Sequence, residues 1–116
     1  MDIRLLNLDR NECNILVKTK IDKKTGKRVR KLIPIDHGLS IPDNLSICTF
    51  DIVWLNWSHA EQPFSKRTLK YIEELDIKED IKILERAFKF RPICLRNIRI
   101  TSTLLKRAAA AGLNLM

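Results

Sequence analysis

Asp9, Asn14 and Asp36 stand where phosphate chemistry would place them. Asp9 and Asn14 lie five apart, just before a β-branched run. Asp36 closes a second such run and is followed by His37 and Gly38. The pattern is Asp-x-x-x-x-Asn, a hairpin, then Asp-x-Gly. Phosphoryl transfer uses these residue types. One carboxylate orients or deprotonates the attacking hydroxyl, while an amide oxygen and a second carboxylate hold Mg2+ against nucleotide phosphates. A hairpin brings its ends together, so Asn14 and Asp36 are expected to face one metal. Gly38 is expected to let the backbone turn sharply after the ligand. The same residues also read as an ordinary polar hairpin end with Asp36 opening a turn, and the spacing leaves both readings open.

The elements that must position these residues are legible. Asn14-Ile15-Leu16-Val17-Lys18 and Val29-Arg30-Lys31-Leu32-Ile33-Pro34-Ile35 read as strands, with Gly26 supplying a positive φ in the polar turn between them. Pro34 has no N–H and suits a strand end or edge. Residues 36–64 show no long period, although Phe50 to Trp57 is apolar enough for a short helix, on which Trp54 and Trp57 would share a face. Helices follow at about 65–111. Ser65 caps Lys66 to Leu75, with Leu69, Ile72 and Leu75 on one face. Asp76 with Glu79 opens a helix whose Ile77, Ile81, Leu84 and Phe88 share a face. Pro92 is expected to separate it from a last helix, about Leu95 to Ala111, that stops at Gly112. The order gives an α+β class, a basic β-hairpin followed by a helical bundle.

Composition narrows the function. A chain of 116 residues with 45% hydrophobic residues is one domain or a piece of one. Three cysteines without a C-x-x-C pair argue against a disulfide scaffold or zinc site and for a cytoplasmic setting. No apolar run is long enough to span a membrane. Three glycines cannot build a glycine-rich phosphate cradle. The net charge of +8 is unevenly placed: +6 over residues 1–35, −4 over 36–64 and +6 over 65–116. Such a chain expects polyanionic partners: nucleic acid, anionic lipid or nucleotide phosphates. Lys18 to Lys31 alone carries eight basic residues and no aromatic, which favours a solvated turn or an anionic membrane surface over nucleic acid.

Longer segments carry a resemblance. Asp2 to Val17 is similar to the catalytic loop of the phosphatidylinositol 4-kinases, most closely the gamma (type II-like) group known from plants. Leu32-Ile33-Pro34-Ile35-Asp36-His37-Gly38-Leu39 resembles that family's metal-binding segment. Cys48-Thr49-Phe50, Trp54-Leu55-Asn56-Trp57 and Gln62-Pro63-Phe64-Ser65 resemble the segment after it. Tyr71-Ile72, Leu75-Asp76, Arg99-Ile100-Thr101 and Leu104-Leu105-Lys106 resemble the closing helices. The match runs in register along nearly the whole chain. Asn11 departs from it, standing where related lipid kinases often have histidine. Cys13 and Ser58 are smaller departures.

The resemblance implies a protein-kinase-like C-terminal lobe over residues 1–116, with a catalytic loop at 7–14 and a metal-binding and activation segment at 36–57. It implies Asp9 as the catalytic aspartate, Asn14 and Asp36 as Mg2+ ligands, and Leu16 and Ile35 as the floor of the adenine pocket. ATP and Mg2+ are the implied cofactors. Phosphatidylinositol and an anionic membrane surface are the implied partners, with peripheral association at membranes. The implied reaction transfers the γ-phosphate of ATP to the inositol 4-hydroxyl. An N-terminal lobe with its phosphate-covering loop and lysine is not found in these residues, so the expectation is a lobe fragment, inactive alone. The competing expectation is a non-catalytic pseudokinase remnant or a basic adaptor that binds anionic lipid.

Overall fold

The computed structural model describes residues 1–45 and 51–114. Cys48-Thr49-Phe50 and the start of the expected helix at Phe50 lie outside the described residues. The elements run α1 (Asp2–Leu5), β1 (Asp9–Arg10), β2 (Ile15–Ile21), β3 (Arg28–Pro34), β4 (Asp51–Ile52), α2 (Lys66–Glu73), α3 (Ile77–Phe88) and α4 (Pro92–Ala110). Short 3-10 turns occupy Glu12–Asn14, Val53–Asn56 and Ser58–Glu61. The class is α+β, as expected.

Two separate two-stranded sheets are present among the described residues. β2 and β3 pair antiparallel with Ile15 opposite Pro34 and Ile21 opposite Arg28. β2 is longer than its apolar run suggests, because the ladder continues through Lys18 and Lys20 to the turn, whereas β3 keeps the expected seven residues, shifted by one toward the turn. Gly26 takes φ +67° there, a conformation that costs glycine nothing. β1 and β4 pair parallel over two residues, Asp9 with Asp51 and Arg10 with Ile52.

The core lies along α4, whose Cys94, Leu95, Ile98 and Ala109 are buried. It packs on α1, α2 and α3. Burial of side chains such as Leu95 and Ile98 contributes about 1.5–3 kcal/mol each. The helix ends are set by local chemistry. The Ser65 hydroxyl accepts from the Thr68 N–H at 3.1 Å, and the Asp76 carboxylate accepts from the Glu79 N–H at 3.0 Å. The latter bond, foremost, holds the Asp76 carboxyl below its ordinary value. Gly112 at φ +75° ends α4.

Three expectations are corrected. Pro92 stands at the boundary between α3 and α4 as expected, but α4 starts at Pro92 itself and not near Leu95, with the proline at the first helical position, where its missing N–H costs nothing. Phe88 falls on the Ile81 side of α3 by helical period but is 66% exposed, because it is the last helical residue and projects beyond the packed part of the helix. The Phe50 to Trp57 stretch is not one helix. From Asp51 on it is a short strand and a 3-10 turn, and Trp54 and Trp57 border different cavities.

Candidate active site

Asp9 is held from three sides. Its backbone N–H donates to Asn7 Oδ1 at 2.9 Å, which fixes the main chain entering the loop. Its carboxylate receives the Asn11 amide on Oδ1 at 2.6 Å and the Asn14 amide on Oδ2 at 3.1 Å. Asn14 also donates to the Asp9 carbonyl at 2.9 Å. Asn11 in turn caps the 3-10 turn Glu12–Asn14, accepting the Cys13 N–H at 2.9 Å. These bonds fix both amide orientations. Asn11, which cannot be a base, instead aims the carboxylate beside it.

Asn14 and the end of β3 are brought together. The Ile35 N–H donates to the Asn14 carbonyl at 3.0 Å, so the two hairpin ends meet one residue before Asp36. Asp36 is exposed and takes φ +49°. Its Oδ1 accepts the Gly38 N–H at 3.1 Å, closing an Asx turn. The sharp turn is thus made by Asp36 in the left-handed region and not by Gly38, which is a correction. A Cβ on Gly38 would sit 3.3 Å from Asp36 Oδ1, so the glycine leaves room for that carboxylate. Beyond it, the Leu8 N–H donates to the Leu39 carbonyl at 3.3 Å and the Ile41 N–H to the Leu5 carbonyl at 2.7 Å. Asn97 on α4 donates to the Pro42 carbonyl at 3.0 Å. The loop carrying Asp36 is therefore tied to both the Asp9 loop and the core helix.

Arg10 holds this arrangement from inside, and nothing in the sequence singled it out. It is 1% exposed. Its Nε and Nη2 grip the Asp2 carboxylate at 3.1 and 3.2 Å. Nη1 donates to the carbonyls of Asn14, at 2.8 Å, and Ile35. Nη2 also donates to His37 Nδ1 at 2.9 Å, which requires that nitrogen to be an acceptor. Asp2 accepts the Trp54 indole N–H at 3.0 Å as well. One guanidinium fork thus spans α1, the end of the Asp9 loop and both sides of Asp36. By type alone, Arg10 is one of 22 basic residues.

Leu16 lies on the exposed surface of β2, and Ile35 follows β3, with 52% and 36% exposure. They offer apolar area to a ligand or to further protein. Among the described residues no three His, Cys, Asp or Glu side chains group as a metal site. A cation between Asn14 and Asp36 would have two protein ligands and need its remaining ones from phosphate and water. His37 and His59 join no such group. Cys13 is exposed and Cys94 buried, both as free thiols. No helix among the described residues is long and apolar enough to cross a membrane.

Residues 1–116 match the family model described as phosphatidylinositol 3- and 4-kinase. The chain is 45% identical over 114 residues to phosphatidylinositol 4-kinase gamma 3 of Arabidopsis thaliana, which covers 97% of the chain and 19% of that relative. It is 43% identical to phosphatidylinositol 4-kinase gamma 4 of Oryza sativa subsp. japonica, with the same two coverages. Phosphatidylinositol 4-kinase gamma 8 of Arabidopsis thaliana is 40% identical, with 99% of the chain and 22% of the relative covered. The chain spans about a fifth of the length of these relatives. A match over every residue, on a chain whose Asp9, Asn14 and Asp36 loops are tied together, assigns it to a family: this protein belongs to the phosphatidylinositol 3- and 4-kinases.

Proposed function

We propose that this chain is the catalytic half of a lipid kinase domain, acting with a phosphate-covering segment that these residues do not contain. The reaction is transfer of a phosphoryl group from ATP to the 4-hydroxyl of phosphatidylinositol. The observation that carries this reading is the double amide clamp on the Asp9 carboxylate, next to the joined ends at Asn14 and Ile35. Bound MgATP supplies the phosphoryl group and neutralises its developing charge.

The protein's part is positioning. Asp9 orients the attacking hydroxyl and accepts its proton, with Asn11 and Asn14 keeping the carboxylate turned the right way. Asn14, whose amide nitrogen is committed to Asp9, keeps its amide oxygen for the cation, and Asp36 adds an exposed carboxylate. The Asn14–Asp36 pair fits Mg2+, which takes oxygen ligands and prefers to complete its shell with phosphate and water. Leu16 and Ile35 give adenine an apolar floor. The kinase-lobe architecture and peripheral contact with an anionic membrane belong to the same reading.

The test is Mg2+-dependent nucleotide binding, followed by amide chemical shifts. The expected result is a set of shifts at Asp9, Asn14, Leu16 and Asp36 that appears with MgATP, is absent with ATP alone and is lost in Asp36→Ala. Shifts confined to the basic hairpin and independent of Mg2+ would favour the non-catalytic alternative, a basic adaptor that binds anions by charge.

A further inference from the structure

The β2–β3 hairpin is an arm with two unlike faces. Every residue from Leu16 to Leu32 is exposed apart from Asp22, so neither face is covered. Strands of seven residues make the arm about 23 Å long. The register places Val17 opposite Leu32, Thr19 opposite Arg30 and Ile21 opposite Arg28 on one face. The other face pairs Leu16 with Ile33, Lys18 with Lys31 and Lys20 with Val29. On the first face Val17, Ile21 and Leu32 are 58%, 68% and 48% exposed. Its base opens on a depression of about 600 Å³ shared by Leu32, Trp57, Ser58 and His59. This face therefore looks toward the segment after Asp36, and the other carries Leu16.

We propose that the arm is the membrane-contacting element of the protein. The Val17–Ile21–Leu32 face lies on an anionic bilayer, and the Leu16 face is left to nucleotide. This assignment of faces rests on the lipid-kinase reading, whereas the choice of an anionic surface rests on charge and exposure. Lys18 to Lys31 holds eight basic residues against one acid, so the arm repels a second copy of itself and attracts a polyanion. A bilayer also takes up the exposed aliphatic side chains, which a soluble anion would leave in water. Arg28 and Arg30 flank those side chains with long apolar stems and charged heads, the form that reaches lipid phosphates while the stem stays buried. Trp57, beside Leu32, is the residue type favoured at the headgroup level. Nucleic acid would instead want aromatic platforms, and Lys18 to Lys31 has none.

Co-sedimentation of the full chain with vesicles tests this without nucleotide. Vesicles of phosphatidylcholine are compared with vesicles of phosphatidylcholine mixed with phosphatidylserine, at low and high salt. A basic residue near the surface contributes up to about a fivefold factor, so replacing Lys23, Lys24, Lys27 and Arg28 together by Ser should lower binding by up to about six hundredfold. High salt should do the same to the unaltered chain, because screening shortens from about 8 Å at 0.15 M to about 3 Å at 1 M. Ile21→Ser should lower binding about tenfold by removing inserted apolar area, and Val29→Ser, next along the arm but on the other face, should leave it unchanged. Equal binding to both vesicle types, salt-independent binding or an unaffected four-fold Ser variant would overturn the proposal. Equal losses for Ile21→Ser and Val29→Ser would overturn the choice of face. Tighter binding to single-stranded RNA than to the anionic vesicles would assign the arm to nucleic acid. A chain that binds anionic vesicles but shows no Mg2+-dependent nucleotide shifts keeps the arm and loses the kinase reading, and the opposite pattern does the reverse.

Discussion

Replacing Arg10 by Leu should destabilise the chain far more than any exposed charge does. The side chain is 1% exposed and its ion-pair partner Asp2 has 14% of its side chain exposed. Breaking a buried pair by removing one partner costs about 3–5 kcal/mol, since it strands the other charge. Asp2 keeps the Trp54 indole as a donor at 3.0 Å, and the Asn14 carbonyl keeps the Ile35 N–H. Both retained bonds place the expected loss at the low end, about 3 kcal/mol. That is a large share of the 5–15 kcal/mol typical of a whole domain. Urea unfolding followed by tryptophan emission measures it. With a slope of about 2 kcal/mol/M, the midpoint should fall by about 1.5 M. Arg10→Lys should recover only part, because an ammonium cannot reach Asp2, two carbonyls and His37 together. Lys70→Ala sets the scale for a surface pair, since Lys70 and Glu74 are 3.7 Å apart and mostly exposed, a pair worth about 0.3–0.5 kcal/mol. An Arg10→Leu loss no greater than that of Lys70→Ala would refute the idea that one buried guanidinium holds the loops together. Amide exchange at Ile35, accelerated in Arg10→Leu beyond the global change, would locate the effect at the hairpin ends.

The isolated chain should yield no ATP-dependent phosphoinositide, because no glycine-rich loop is present to position the phosphates; an Asp9-dependent product would show that one is not needed. Mg2+ titration without nucleotide should give weak binding that Asp36→Ala weakens further, whereas tight binding untouched by that substitution would put the site elsewhere. The Asp76 carboxyl is held below its ordinary value of 3.8, chiefly by the Glu79 N–H. A depressed folded value means that its contribution is present above the ordinary value and lost as pH falls below about 4 toward the folded value. Unfolding midpoints for Asp76→Asn, which keeps a capping oxygen but cannot titrate, should fall less steeply over that acid range.

Local chemistry wrote much of the fold into the chain. The hairpin turn at Gly26, the helix starts at Ser65 and Asp76 and the stop at Gly112 depend on backbone groups within a few residues, and each appears where the sequence places it. The order Asp9, Asn14, Asp36 was equally legible, because two strands joined by one turn bring their ends together. What the sequence could not supply is the part made by distant segments. The apolar period places the start of the last helix near Leu95, yet α4 begins at Pro92. Phe88 fits a helical period, yet the chain leaves the helix right after it and the ring stays in solvent. Asp36 adopts φ +49° in a loop whose far end bonds back to Leu5 and Leu8. Arg10 is the clearest case. As a sequence letter it adds one charge to a basic protein. It becomes a buried clasp only because Asp2, Asn14, Ile35 and His37 converge on it from separate elements, supplying the acceptors that a buried guanidinium needs.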